Sequence, residues 1–131
     1  MKRWALVCLM WAASSAGAQE LIAVPSGQAV TFLDAITDAP GPDGLAARFR
    51  FLASAIARDG GTVDAETAAL DMDFLCGSFA LDHIANIGPQ PSQIIISMSD
   101  IDVPFGEVHP EATQFFNAYS IEDGVCVWDM F

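Results

Sequence analysis

Basic residues are scarce in this chain: of 131 residues, 5 are Lys or Arg and 17 are Asp or Glu, a formal net charge of −12 with neutral histidines. Lys2 and Arg3 are two of the five, so beyond residue 18 there are three arginines, no lysine and all 17 acids, a balance of −14. Such a surface repels phosphate backbones and anionic lipid headgroups. It lacks the basic face that counterion-release binding needs, which excludes nucleic acid as a partner. The acids are scattered and never form a block of five or six, the pattern of a solvating coat over a folded domain and not of an acidic tail.

Catalytic signatures are missing too. There is no G-x-S-x-G nucleophile elbow: Gly77-Ser78-Phe79 and Pro25-Ser26-Gly27 place serine beside glycine without the strand-to-helix context. Neither G-x-G-x-x-G nor a Walker loop occurs, and Asp59-Gly60-Gly61 reads as a turn. Cysteine is limited to Cys8, Cys76 and Cys126, and no C-x-x-C spacing points to redox chemistry. Long apolar runs are absent: Trp4 to Ala13 spans ten residues, too short to cross a hydrocarbon core of ~30 Å as a stable anchor.

That short run carries a different message. Met1-Lys2-Arg3 is a cationic start, the apolar stretch follows, and Ala16-Gly17-Ala18 supplies the small-x-small pattern that a signal peptidase reads. Residues 1–18 are therefore expected to be a signal peptide cleaved after Ala18, which places the remaining 113 residues in the periplasm. A lipid anchor through Cys8 is disfavoured, because Ala5-Leu6-Val7 leaves almost no apolar run ahead of it. Residues 19–131 suit one globular domain and leave no room for a second core. Much of the mean hydropathy of +0.39 belongs to the leader.

After cleavage two cysteines remain, Cys76 and Cys126. In an oxidising compartment a matched pair closes one bridge by default, here around a loop of 50 residues. Two free buried thiols are the alternative.

The element pattern is mixed. Leu21 to Val24 reads as a short extended piece before the Pro25-Ser26-Gly27 turn. Val30, Phe32 and Ile36 share an even phase, interrupted by Asp34, and predict a strand from about Ala29 to Thr37. Asp38 to Gly44 holds two prolines and two glycines, which predicts a long turn. Arg48-Phe49-Arg50-Phe51 alternates with period two, so the rings face a core while the guanidinium groups face water or a carboxylate. Leu52 to Ala57 could be strand or helix.

From Asp64 to Asn86 the apolar letters Ala68, Met72, Leu75, Cys76, Phe79 and Ala80 recur at three-and-four spacing, with Asp71, Asp73 and Asp82 mostly off the stripe. This predicts one long helix, capped by Thr62 or Asp64 and favoured by Glu66 in its first turn. Gly77 costs such a helix ~1 kcal/mol against alanine, so the helix ends there or a neighbour needs the space. His83, near the helix end beside Asp82, suits a capping or surface role better than catalysis.

Gln93 to Met98 is apolar on both faces over its first half, as a covered central strand would be. Asp123-Gly124 predicts a two-residue hairpin between Phe115–Glu122 and Val125–Phe131, in a register that sets Ile121 opposite Cys126 and Tyr119 opposite Trp128 on one buried face. A Cys76–Cys126 bridge then requires the helix to pack across the C-terminal strands. The expected fold class is α+β: two layers, an antiparallel or mixed sheet of about five or six strands with one main helix on it, ending in a C-terminal β-hairpin.

The segments Ser92 to Asp100, Val103-Pro104-Phe105-Gly106, Pro110 to Phe116 and Asp123 to Trp128, with Arg48 to Leu52 and Asp71 to Cys76, resemble a family of short exported alphaproteobacterial proteins of unknown function. The resemblance covers nearly the whole mature chain and implies no activity. Similar proteins sometimes carry the label acetolactate synthase. A thiamine-diphosphate enzyme of that kind needs several domains to hold cofactor and metal, and 113 exported residues do not supply them.

What remains is the connection Ser99–Glu111, with Asp100, Asp102, Glu107, His109 and Glu111, five metal-capable side chains in twelve residues. Oxygen donors at that density suit Ca²⁺, and an imidazole among them suits a transition metal. The spacing disagrees with a calcium loop, since Pro104 stands where Asp or Asn is wanted and Gly106 comes one place late. No metal and no cofactor is expected, and an acidic solvated loop or a partner-binding loop fits better. Phe105 is either core or, if exposed, a binding anchor.

The functional expectation is a non-enzymatic periplasmic binding or accessory module, with a protein or small ligand held at the candidate loop Asp100, Asp102, Phe105, Glu107, His109 and Glu111. The alternatives are a small metal-assisted hydrolase using His109, Asp100, Asp102 and Glu111, or a structural part of the envelope.

Overall fold

The computed structural model describes residues 20–41 and 44–129. The expected signal peptide and its cleavage site, with Cys8, fall in residues 1–19, which like 42–43 and 130–131 lie outside them. Six strands form one curled, mixed sheet in the order of the chain: β1 (Leu21–Ile22), β2 (Val30–Gly41), β3 (Gly44–Leu52), β4 (Gln93–Ser99), β5 (Gln114–Glu122) and β6 (Val125–Asp129). All neighbours are antiparallel except β3 and β4, which run parallel from Ala46↔Gln93 to Leu52↔Ser99. The class is α+β.

A parallel pair needs a long crossover, and the helical segment lies in it. Helix α1 (Ala65–Leu75) passes through one π turn (Cys76–Ala80) into α2 (Leu81–Ile84), with helical backbone at each junction. Asp64 caps the start, accepting from the Thr67 N–H at 2.9 Å. That hydrogen bond to Thr67 also holds the Asp64 carboxyl below its ordinary pKa. Gly77 does not end the helix. It lies in the π turn, and an added Cβ would meet nothing within 4 Å, so no neighbour requires the gap.

Alternation decides which side chains meet the helix. Ala47, Phe49 and Phe51 of β3, Ile94, Ile96 and Met98 of β4, and Tyr119 of β5 form one buried cluster with Ala68, Met72, Leu75, Cys76 and Ala80. Phe79 enters this cluster beside Phe32, with ring centroids 4.7 Å apart. His83 stacks on Phe79 at 4.4 Å, an exposed surface contact. β4 is the covered central strand that its composition predicts.

Three expectations for the residues before Cys76 are corrected. Asp38 to Gly41 and Gly44 are strand rather than part of a long turn, since Ala39↔Ala46, Pro40↔Leu45 and Gly41↔Gly44 are paired. Proline is tolerated there because β1 covers only Val30 and Thr31, which leaves the far end of β2 as an edge needing no N–H on that side. The even phase of Val30, Phe32 and Ile36 is broken by a register shift between Phe32 and Asp34. Phe32 stays opposite Phe51, while Asp34 moves opposite Arg50 and Ile36 opposite Arg48, onto the other face.

Asp71 is the third. Far from lying off the buried stripe, it is 0% exposed. Its carboxylate accepts from Ser26 N–H at 2.9 Å, Ser26 Oγ at 2.5 Å and Gln28 Nε2 at 2.7 Å, tying α1 to the turn between β1 and β2. The turn donors that surround it offset the cost of its burial.

The hairpin has the expected register, Ile121↔Cys126 and Tyr119↔Trp128, with Asp123 at φ 51° and Gly124 at φ 75° filling the two left-handed positions of its turn. Cys76 and Cys126 are disulfide-bonded with Cα atoms 6.2 Å apart, joining the helical segment to β6. Tyr119 is buried and donates to Asp73 at 2.6 Å, and burial, then that contact, raises its phenol above the ordinary pKa. Trp128 departs from expectation: it is 55% exposed, because β6 is the outermost strand of the sheet.

Replacing both Cys76 and Cys126 with serine should lower the unfolding free energy by about 4 kcal/mol, the chain-entropy value for a loop of this size. Denaturant titration reads the difference, and a loss under about 1 kcal/mol would mean that the bridge does not restrain the unfolded chain. Asp71→Ala should cost about 3 kcal/mol by leaving donors of Ser26 and Gln28 unpaired, with Asp71→Asn costing less because its amide oxygen still accepts. Equal stabilities of wild type and Asp71→Ala would refute that tie.

Candidate functional site

The face of the sheet away from the helix carries the other alternate set: Ala46, Arg48 and Arg50 of β3, Ile95 and Ser97 of β4, and Phe116 and Ala118 of β5. Cross-strand pairing sets Arg50 beside Ser97 and Ser97 beside Phe116, with Arg48, Ile95 and Ala118 in the adjacent row. Ala46, Ile95 and Ala118 make a small second buried cluster. Arg50 is held twice, by Asp34 at 2.7 Å and by the Val103 carbonyl, and its side chain is 11% exposed.

The bond to Val103 brings the Ser99–Glu111 connection onto this face. Asp100 closes the base of the loop: its N–H donates to Thr113 O at 3.0 Å and its Oδ1 accepts from Thr113 N–H at 2.7 Å. Ser99 Oγ donates to Ile101 O at 2.6 Å. At the tip, Pro104-Phe105-Gly106-Glu107 is a tight turn, with Glu107 N–H donating to Pro104 O at 3.1 Å and Gly106 at φ 87°, a conformation that favours glycine. This turn presents Phe105, 54% exposed, with the Arg48 guanidinium carbon 5.5 Å from its ring centroid. Arg48, Arg50, Ser97, Phe105, Glu107, Gln114 and Phe116 line a pocket of about 170 Å³ between loop and sheet.

The six loop residues thus separate into three groups. Phe105 and Glu107 border the pocket. Asp100 is committed to Thr113, and Asp102 is exposed with no hydrogen bond or ion pair among the described residues. His109 joins Glu111 at 3.0 Å and stands 3.7 Å from Glu107. Asp100 and Glu111 do meet, with Arg58 and Asp59, around a separate cleft of about 350 Å³. Among the described residues, no three His, Cys, Asp or Glu side chains are grouped to hold a metal ion.

A larger cleft, about 580 Å³, lies between Ile56–Asp64 and Ala112–Phe115. Several of its polar groups serve the fold: the Arg58 guanidinium donates to Pro110 O at 2.6 Å and Ala112 O at 3.2 Å, Arg58 N–H donates to Thr113 Oγ1 at 3.0 Å, and Asp64 caps α1.

Arg48, Arg50 and Phe116 were not among the sequence candidates. The signal for the two arginines was present in the Arg-Phe-Arg-Phe alternation, which assigns their guanidinium groups to the face opposite the rings. What the pattern lacked was the fold-back of the loop across that face.

The Glu111 hydrogen bond raises the His109 pKa above its ordinary 6.5. Glu111 is lowered from 4.5 by its own backbone N–H and then by His109. The His109 contribution is therefore complete below pH 6.5 and lost as pH rises through the raised value, whereas the Glu111 contribution is present above pH 4.5 and lost as pH falls through the lowered one. An NMR titration should give His109 a pKa above 6.5 that drops toward 6.5 in Glu111→Gln. Equal midpoints in the two proteins would refute the contact.

Comparison with known proteins adds the family alone. No curated protein and no solved structure matches the chain. A family model described as "Family of unknown function (DUF6497)" matches residues 7–131, nearly the whole length, and the chain belongs to that family.

Proposed function

We propose that the protein is exported, loses residues 1–18, and works in the periplasm as a non-enzymatic binding module that docks a protein partner on the open sheet face and the Ser99–Glu111 loop. The observation that carries this is the pair Phe105 and Phe116, 54% and 59% exposed, on two walls of one pocket. Exposed aromatics in a shallow hollow are the anchors that protein interfaces use. The hollow is smaller than the ~300 Å³ at which small-molecule pockets begin, so it suits a side chain of a larger partner. Val125 and Val127 of β6 extend the exposed apolar surface on the same face.

The leader pattern supports export, and the Cys76–Cys126 bridge supports an oxidising compartment, where such bonds persist. The absence of a basic face and of hydrolase motifs from the sequence supports binding over catalysis.

Affinity capture from periplasmic extract tests this, with the wild-type chain compared against Phe105→Ala/Phe116→Ala. A partner retained by wild type should fall at least about tenfold with the variant, the size of loss typical of an aromatic anchor, at unchanged melting temperature. Identical partner lists, or a cytosolic protein whose leader is still attached by mass spectrometry, would overturn the proposal.

A further inference from the structure

Arg48 stands out from the other two arginines beyond the leader. Arg50 is matched by Asp34 and the Val103 carbonyl, and Arg58 by the carbonyls of Pro110 and Ala112. Arg48 is half-buried on the sheet, yet its guanidinium makes no hydrogen bond or ion pair with any described residue. Half-buried, that charge is partly desolvated, and an anion brought to it gains a charge-assisted partner. Burial, followed by the like charge of Arg50, lowers its pKa from the ordinary value, in keeping with an unmatched cation.

Its surroundings specify the missing group. Phe105 lies against the guanidinium at 5.5 Å, and with that contact made the planar fork of N–H donors still lacks an acceptor. Two further polar side chains on the pocket wall, Ser97 and Gln114, also lack a hydrogen-bond partner among the described residues. Phe105 and Phe116 supply apolar walls.

The local charge balance separates carboxylate from phosphate. Asp34 already offsets Arg50, and Glu107 borders the pocket beyond ion-pair distance of Arg48, nearest to His109. One unmatched positive charge suits a monoanion accepted by the guanidinium fork, whereas a dianion would meet Glu107 and the acidic surface without compensation.

We infer that the pocket at Arg48 receives the carboxylate of a partner's Asp or Glu side chain, flanked by apolar residues that contact Phe105 and Phe116. This rests on the docking face proposed above and adds the chemistry of what docks. In the complex the carboxylate accepts from the Arg48 fork, and Ser97 and Gln114 are placed to donate to it.

Two capped five-residue peptides test it, one with a glutamate between two phenylalanines and one with glutamine in its place, titrated into the mature chain by NMR. The glutamate peptide should bind saturably and shift the Arg48 side-chain N–H signals, and the glutamine peptide should bind about tenfold more weakly, as expected for a charge-assisted hydrogen bond. Arg48→Gln should abolish the preference, Arg48→Lys should lose most of it while keeping the charge, and Arg58→Gln should leave it intact. Melting curves accompany each variant, and Arg48→Lys carries the test if Arg48→Gln is unstable.

Equal binding of the two peptides, with loss in Phe105→Ala/Phe116→Ala, would overturn the carboxylate inference and leave the docking face standing. Failure of both peptides to bind would also overturn it, while periplasmic capture judges the face separately. Competition by free acetate as strong as that of the glutamate peptide would mean a free acid and not a partner segment, and would overturn the assignment to a protein side chain.

Discussion

The parallel pairing of β3 with β4 is the constraint from which the rest follows. Antiparallel neighbours can be joined by a turn, but parallel ones need the chain to return along the sheet before the next strand begins. The return path here is residues 53–92, which includes the helical segment, and its buried side chains cluster with Phe49, Phe51, Ile94, Ile96 and Met98. The crossover is then tied at separate points: Asp71 to the first turn, Asp73 to Tyr119 on β5, and Cys76 to Cys126 on β6. These ties run to the turn between β1 and β2, to β5 and to β6.

Once one face is used by the helix, strict alternation commits the remaining side chains of β3 and β4 to the other. That is why Arg48 and Arg50, separated by single phenylalanines, stand together on the open side. The register shift in β2 is part of the same arrangement, since without it Asp34 would keep the phase of Phe32 instead of meeting Arg50. The loop from Ser99 to Glu111 then covers part of this face. It is closed by Asp100 on Thr113 and drawn in by the bond from Arg50 to Val103, which leaves Phe105 over Arg48. Membership of a family of unknown function assigns no chemistry to that surface, so its physical properties carry the functional case.

Local patterns were informative where one short segment held the whole signal. Asp123-Gly124 defined a hairpin and its register because a two-residue turn leaves no freedom in which residues face each other. The three-and-four spacing around Met72 and Leu75 located the helix, and the coincidence of Cys76 on its stripe with Cys126 on the hairpin placed the helix against the C-terminal strands. The same logic misled at Asp71, whose burial depends on Ser26 and Gln28, more than 40 residues away in sequence. It misled again at Pro40, where tolerance depends on how short β1 is. Among the loop candidates, residue type drew attention to His109 and the acids, whereas the pocket is made by Phe105 and Glu107 together with strand residues that no loop pattern contains.

The sequence by itself determined the charge, the alternation of the strands, the helix and the hairpin, because each follows from neighbours within a few residues and from backbone geometry of fixed period. Tertiary structure alone decided which arginine found a partner and which did not, that Asp71 is enclosed by donors, and that the loop returns over the sheet. Those outcomes depend on contacts between distant segments, and their energies arise only when folding brings the segments together and removes the water between them.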